Sequence, residues 1–124
     1  VGAANLSDSF AKEHEGPSNW PIETWLNDGY STHAPVGSYR ANAFGLHDVI
    51  GNALETCREG YCTYAMAVNP GDGERLGTDP RSRMLRGGAY HAAAKRSRSA
   101  FRMDVLPEYS DFAMGLRPVR SVTQ

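Results

Sequence analysis

The sequence predicts a loop-rich α+β domain with short antiparallel strands and few short helices. Thirteen glycines and seven prolines punctuate its 124 residues, so long helices are not expected and loops should form much of the fold. Short apolar or alternating segments between these residues are typical of short strands. A chain of this length with 40% hydrophobic and 22% charged residues suits one modest globular domain.

One short helix and four short strands are predicted along the chain. The helix is expected over 20–27, because Pro21 suits a first helical turn and an Asn-Asp-Gly sequence suits the end. Pro118 lacks an N–H group, so the last strand should be an edge strand or contain a bulge. The four strands are expected over 53–57, 83–86, 99–103 and 115–122.

Charge is distributed unevenly along the chain. Residues 1–80 carry four Lys or Arg against eleven Asp or Glu, a net of −7, and residues 81–124 carry nine against three, a net of +6. Either the two parts pair their charges on folding, or the second part forms a basic face for an anionic ligand. No nucleic-acid-binding motif accompanies the arginines, and no run approaches the roughly 20 apolar residues of a membrane helix. Neither nucleic acid nor a membrane is an expected partner.

The two cysteines and four histidines do not predict a metal or redox site. Cys57 and Cys62 are separated by four residues, which fits neither a redox CxxC motif nor a zinc knuckle. Their spacing is compatible with a local disulfide in an oxidising compartment and equally with free thiols. The histidines show no paired ligand spacing, and they are His14, His33, His47 and His91.

Two acidic turns are candidates for cation binding. Asp48 and Glu55 flank an Ile-Gly-Asn turn among apolar residues, where a carboxylate is costly to bury without a positive partner. Calcium prefers oxygen ligands from carboxylates, amides and carbonyls, and Gly51 would let a carbonyl turn inward. The turn around Asp28, with the amide of Asn5, could act in the same way. The alternative is that the aspartates cap turns and Glu55 pairs with an arginine.

Several ordered motifs resemble the formylglycine-generating enzyme (sulfatase-modifying factor) family. They are APVGSYRANAFGLHDVIGNALETC, RMLRGGAY, RSAFR and GLRPVR, with AANLSD and NDGYSTHAPVG upstream. The resemblance extends from about Asn5 to Arg120 and implies a variant of the C-type lectin fold. It also implies that residues 1–124 are the C-terminal portion of one such domain, whose N-terminal portion is absent or lies on another chain.

The family resemblance implies up to two structural calcium ions. Each site would combine two side-chain oxygens with two backbone carbonyl oxygens. The residues implied are Asn5 and Asp28 with the carbonyls of Leu6 and Tyr30, and Asp48 and Glu55 with the carbonyls of Gly51 and Ala53. The family's Trp-Glu-Trp element reads Leu-Glu-Thr here, which retains Glu55 but removes both tryptophans.

The catalytic pattern of the family is missing. Members that oxidise a substrate cysteine carry a copper-binding cysteine pair just after a Gly-Gly-Ser motif. Here Ala89 replaces the serine, Ala92 stands where the first cysteine would come, and no cysteine follows Cys62. A pair of thiolates is what selects Cu(I), so neither copper nor formylglycine generation is expected.

The favoured interpretation is a non-catalytic domain that binds a protein or small-molecule ligand at the surface formed by residues 89–113. Apolar and aromatic side chains in this stretch form either a recognition patch or the edge of the core. The variable receptors of diversity-generating retroelements use this fold and concentrate their variable residues there. The candidate ligand-binding residues are His91, Ala92, Ala93, Ser97, Asp104, Val105, Leu106, Tyr109, Asp111 and Phe112.

Two alternatives stay open. One is an oxidoreductase of the formylglycine-generating enzyme and sulfoxide synthase superfamily, or a fragment of one, because PEYSDFAMGLR resembles the end of sulfoxide synthases. The other is a piece of a larger protein, with a companion N-terminal chain that covers the last strand. An unpaired strand edge is normally covered in this way.

Overall fold

Four short strands form one mixed sheet at the centre of the molecule. The computed structural model describes residues 3–75 and 79–119. The strands are β1 (Leu54–Thr56), β2 (Arg83–Arg86), β3 (Met103–Val105) and β4 (Met114–Gly115), in the spatial order β3-β2-β1-β4. β2 runs antiparallel to both β1 and β3, but β1 and β4 are parallel. The prediction of antiparallel strands is therefore wrong for the β1–β4 pair.

The strand predictions differ in accuracy. β1 lies inside the predicted range 53–57, and β2 covers its whole predicted range. β3 overlaps the range 99–103 only at Met103, because the N–H of Phe101 donates to the carbonyl of Arg98 at 2.9 Å and forms a turn. β4 ends at Gly115, and residues 116–119 are not a strand. Residues 120–122 of that prediction lie outside the described residues.

The helix prediction is wrong. Residues 20–27 form bends and turns, and the α-helix of the described residues is α1 (Ser9–Glu13). Asp8 caps α1 by accepting the N–H of Ala11 at 3.1 Å. The N–H of Glu23 donates to the carbonyl of Ser7 at 2.8 Å and the N–H of Ser9 donates to the carbonyl of Leu26 at 3.3 Å, so the 20–27 segment pairs with the start of the chain.

The core lies on both faces of the sheet. Met84 and Leu85 are adjacent on β2 and both are completely buried. Because successive side chains of a strand point to opposite faces, both faces of β2 are covered. One cluster of the core consists of Leu54, Leu85, Ala89, Tyr90 and Ala113, with Trp20, Met103, Val105 and Met114 packed against it.

The helices of the described residues are short. Besides α1, there is a 3₁₀ helix at Ala94–Arg96. In the part of the chain that the structure describes, no helix is long and apolar enough to cross a membrane.

Candidate functional site

The residues of the first candidate cation site lie together. Asp28 accepts the N–H of Leu6 at its Oδ2 and the N–H of Tyr30 at its Oδ1, both at 2.9 Å. The completely buried side chain of Asn5 donates from Nδ2 to the carbonyl of Thr32 at 2.7 Å. Thus the chain brings Asn5, Leu6, Asp28 and Tyr30 to one place, where N–H groups contact the carboxylate of Asp28.

The first candidate cation site has buried oxygens that lack positive partners. Oδ2 of the buried Asp8 accepts the N–H of Asp28 at 2.6 Å, and within the described ranges neither carboxylate forms an ion pair. Burial raises the pKa of Asp28; its two N–H contacts oppose this rise, and the Asp8 charge adds to it. Oδ1 of Asn5 is buried without a hydrogen-bond partner. This set of hard oxygen atoms fits a cation such as calcium.

The carboxylates of the second candidate cation site line one cavity. Asp48, Ala53 and Glu55 are among the residues around this cavity, whose volume is about 300 Å³. Asp48 caps the turn before it, because its Oδ1 accepts the N–H of Tyr39 at 3.2 Å. The carbonyl of Gly51 accepts the N–H of Ala53 at 2.8 Å.

Glu55 has a positive partner in Arg117. Nε of Arg117 donates to Oε1 and Oε2 of Glu55 at 2.8 and 3.0 Å, and Nη2 donates to Oε1 at 2.6 Å. Such bidentate contacts are the strong form of the carboxylate–guanidinium pair. The oxygen atoms of the second candidate cation site could hold a cation only if Arg117 left Glu55. The contacts observed are those of the alternative interpretation, in which Asp48 caps a turn and Glu55 pairs with an arginine.

We expect Glu55→Gln to lower the free energy of unfolding by about 1–3 kcal/mol, because it leaves the half-buried Arg117 without its charged acceptor. The loss should be equal in calcium and in chelator when measured by urea denaturation. Arg117→Gln serves as the matched variant, and the two losses should not add because both variants remove the same contact. A loss confined to calcium-containing buffer would show that Glu55 binds the cation instead.

Asn52 connects the two candidate cation sites, and the sequence reasoning missed it. Its Oδ1 accepts from Nδ2 of Asn5 at 3.0 Å and from the N–H of Ala34 at 2.9 Å. Its own N–H donates to the carbonyl of Asn5 at 2.8 Å, beside a bridge between Asn5 and Gly51. The sequence signal for Asn52 was the Gly51-Asn52 pair, because Gly and Asn are the residues that most readily adopt positive φ in turns. Both residues have positive φ in the structure.

Metal-binding side chains do not cluster in the described ranges 3–75 and 79–119. Those ranges hold no group of three or more His, Cys, Asp or Glu side chains suited to a metal ion. A cation at either candidate site would therefore depend on amide and backbone carbonyl oxygens as well as carboxylates.

The candidate ligand-binding residues fall into three groups. His91, Ala92, Tyr109 and Asp111 line one cavity of about 190 Å³, which we call the His91 cavity. Its other lining residues are Leu54, Gly88, Ala89, Arg96, Phe101 and Met103.

The remaining candidates are either part of the scaffold or exposed. Ala93 and Ser97 are buried, and a Cβ on Gly88 would lie 2.0 Å from Oγ of Ser97, so this serine packs against the backbone. On β3, the half-buried Val105 packs against the core cluster, whereas Asp104 is exposed opposite Met84. Leu106 and Phe112 are exposed, at 60% and 70% of their surface.

An aromatic cluster lies beside the His91 cavity. It consists of Trp20, His33, Tyr90, His91 and Phe112, with ring centroids of the contacting pairs 4.5 to 6.4 Å apart. Burial lowers the pKa of His91 more than the nearby Asp111 charge raises it. The His91 ring is therefore neutral at neutral pH, and its buried Nδ1 has no hydrogen-bond partner.

The two cysteines are separate from the His91 cavity. Both are free thiols, and neither lines this cavity. Burial raises the pKa of Cys57, which disfavours the thiolate.

Comparison with known proteins identifies the family. Residues 3–122 match the model of the sulfatase-modifying factor enzyme 1-like domain. The chain belongs to this family. It is 36% identical over 129 aligned residues to the formylglycine-generating enzyme of Streptomyces coelicolor, covering 94% of this chain and 41% of that protein. It is 30% identical over 104 residues to the formylglycine-generating enzyme of Bos taurus, covering 79% and 27%. The chain thus spans less than half the length of these curated relatives.

Two solved structures confirm the predicted fold class. PvdO from Pseudomonas aeruginosa superposes with a TM-score of 0.54 at 28% identity, over 66% of this chain and 31% of that one. Variable protein 1 of Treponema denticola superposes with a TM-score of 0.58 at 24% identity, over 73% and 32%. The chain has the fold of these proteins, and its sheet includes one parallel pair, β1–β4, beside the predicted antiparallel pairing.

Proposed function

We propose that this sulfatase-modifying factor domain is a non-catalytic domain that binds a protein or small-molecule ligand at the surface formed by residues 89–113. The observation that carries the proposal is the chemistry of the His91 cavity. Ala89 and Ala92 line it, at the positions of the family's Ser and first catalytic Cys, and neither Cys57 nor Cys62 is among its walls. Methyl groups cannot hold Cu(I), so the cavity can bind a ligand but lacks the family's means of oxidising one.

Exposed apolar residues support recognition at the 89–113 surface. Leu106 and Phe112 expose most of their side chains, and Phe112 lies over the rings of Tyr90 and His91. Large aromatic side chains on a supported surface are typical of residues that dominate binding. The shared fold with Treponema denticola variable protein 1 supports the variable-receptor type of binding domain in particular.

Calcium belongs to this proposal as a structural ion. Asn5 and Asp28, with the carbonyls of Leu6 and Tyr30, would hold it, and the ion would compensate the carboxylate of the half-buried Asp28. The unpartnered Oδ1 of Asn5 and the raised pKa of Asp28 support this placement. A second ion at Asp48 and Glu55 would need Arg117 to leave.

Phe112→Ser tests the recognition surface. Peptides are selected from a random library on the wild-type chain, and their affinities are then measured on both proteins. We expect the variant to bind about tenfold more weakly or worse, because hot-spot aromatics carry much of the binding energy. Its free energy of unfolding should change by less than about 1 kcal/mol, since the side chain is largely exposed.

Phe44→Ser is the matched control, because Phe44 is 87% exposed and lies outside the 89–113 surface. It should leave both affinity and stability unchanged. Peptides that bind the wild type and Phe112→Ser equally would contradict recognition through Phe112, and failure to select any peptide would contradict a peptide-binding surface. A large loss of stability in Phe112→Ser would show that this residue belongs to the core.

A further inference from the structure

Two opposite charges line the His91 cavity without pairing with each other. Arg96, which is exposed, and the half-buried Asp111 are both among the residues that line it. In the described part of the chain neither of them forms an ion pair. Arg96 ends the 3₁₀ helix, whereas Asp111 belongs to the loop before β4, so the two charges come from different segments.

Asp111 is fixed in position by its own loop. Its Oδ1 accepts the N–H of Ala113 at 2.8 Å, and its Oδ2 accepts the hydroxyl of Tyr109 at 3.3 Å. Each oxygen still has capacity to accept another hydrogen bond. A carboxylate held in this way can receive an ammonium group without first being ordered, which lowers the entropic cost of binding.

The other residues that line the His91 cavity are mostly apolar or aromatic. Leu54, Phe101 and Met103 line the His91 cavity together with the rings of His91 and Tyr109. The volume of the His91 cavity is about 190 Å³. It is below the range of about 300–1,000 Å³ that is usual for drug-sized ligands, so the cavity suits one small metabolite.

We propose that the His91 cavity binds a free α-amino acid with an apolar side chain, with the ammonium group on Asp111 and the carboxylate on Arg96. This inference rests on the proposed binding function and names the class of its small-molecule ligand. A ligand with one charge would pair with only one of these two residues and would forgo the second charge-assisted contact. The neutral ring of His91 adds no third charge to the cavity.

Calorimetric titration of the full chain near neutral pH tests the ligand class. The probes are L-leucine, L-methionine and L-phenylalanine, together with L-leucinamide and N-acetyl-L-leucine, each of which lacks one of the two charges. We expect saturable binding of at least one free amino acid. We expect L-leucinamide and N-acetyl-L-leucine each to bind about tenfold more weakly than L-leucine, because each leaves one charge of the cavity unpaired.

Charge-removing variants locate the bound amino acid. Asp111→Asn and Arg96→Gln should each weaken its binding about tenfold or more. Glu108→Gln and Lys95→Gln remove the same charges from nearby exposed positions outside the His91 cavity, and they should bind as the wild type does. Arg96→Gln should bind L-leucinamide as well as the wild type does, because the amide has no carboxylate to lose.

The outcomes separate this inference from the proposed function. If none of the three amino acids binds, or if Asp111→Asn and Arg96→Gln bind them as the wild type does, the amino-acid site is wrong. Peptide binding that depends on Phe112 would then still support the proposed function. Amino-acid binding without any Phe112-dependent recognition would support the His91 cavity and contradict the peptide surface alone.

Discussion

Gly51→Ala should lower the free energy of unfolding by about 2–5 kcal/mol. Gly51 has a φ of +74°, and a side chain in this left-handed region costs roughly 1–2 kcal/mol. The added Cβ would also lie 2.0 Å from the carbonyl oxygen of Asn5 and 3.0 Å from Cδ2 of Leu6. Both partners are buried, so relieving the overlap adds a cost of about 1–3 kcal/mol.

Gly45→Ala separates backbone strain from overlap. Gly45 has nearly the same φ, +76°, but a Cβ there would meet nothing within 4 Å. It should lose only the roughly 1–2 kcal/mol of the left-handed backbone. Urea denaturation of both variants measures the difference, and equal losses would contradict the close approach of Gly51 to Asn5.

The contact between Gly51 and Asn5 also determines how the two candidate cation sites are arranged. Asn5 is a predicted ligand of the first site, and Gly51 is a predicted ligand of the second. Their bridge and the hydrogen bond from Asn52 to the carbonyl of Asn5 connect segments nearly fifty residues apart. A residue that must be glycine at this contact is therefore part of the framework that orients both sites.

The family resemblance predicted the fold better than local sequence signals predicted its elements. Pro21 and the Asn-Asp-Gly sequence predicted a helix over 20–27, but this segment forms backbone hydrogen bonds to residues 7–9 instead. Short segments have weak intrinsic preferences, so such tertiary contacts decide their conformation. β1 and β2 were predicted correctly because their apolar residues coincide with the buried centre of the sheet.

Local sequence signals also failed to predict the long-range contacts of the second candidate cation site and of the 89–113 surface. Asp48 and Glu55 line one cavity, but the partner of Glu55, Arg117, is 62 residues away along the chain. No local spacing signals such a pair. Likewise, most residues that line the His91 cavity belong to the range 89–113, but Ala93 and Ser97 of that range are buried. Loop composition does not reveal which side chains face inward.

Calcium should stabilise the wild-type chain, and Asp28→Asn should remove most of that effect. At a free calcium concentration about one hundred times the dissociation constant, an ion that binds only the folded state adds about 2.7 kcal/mol to the free energy of unfolding. Asp28→Asn removes the charge that the ion would neutralise. In chelator its effect should be small, because relief of a buried charge opposes the loss of one accepting oxygen. Thermal unfolding in calcium and in chelator measures both quantities.

Asp104→Asn is the matched control for Asp28→Asn, because it removes the same charge from an exposed position on β3. It should retain the full stabilisation by calcium. An equal calcium response in the wild type and Asp28→Asn would contradict the first candidate cation site, and no response in either would contradict bound calcium altogether.

The pH dependence in chelator gives an independent measure of the buried charge. The pKa of Asp28 is raised in the folded state, so above the usual value of 3.8 the unfolded chain loses this proton first. The folded chain then binds more protons, and its stability falls as the pH rises towards the raised pKa. The free energy of unfolding of the wild type minus that of Asp28→Asn should show this fall with rising pH. Saturating calcium should abolish the fall, because the ion favours the charged carboxylate. If this difference in the free energy of unfolding instead rises with pH in chelator, hydrogen bonds to the carboxylate outweigh its burial. The charged carboxylate would then be stable in the folded chain without a cation.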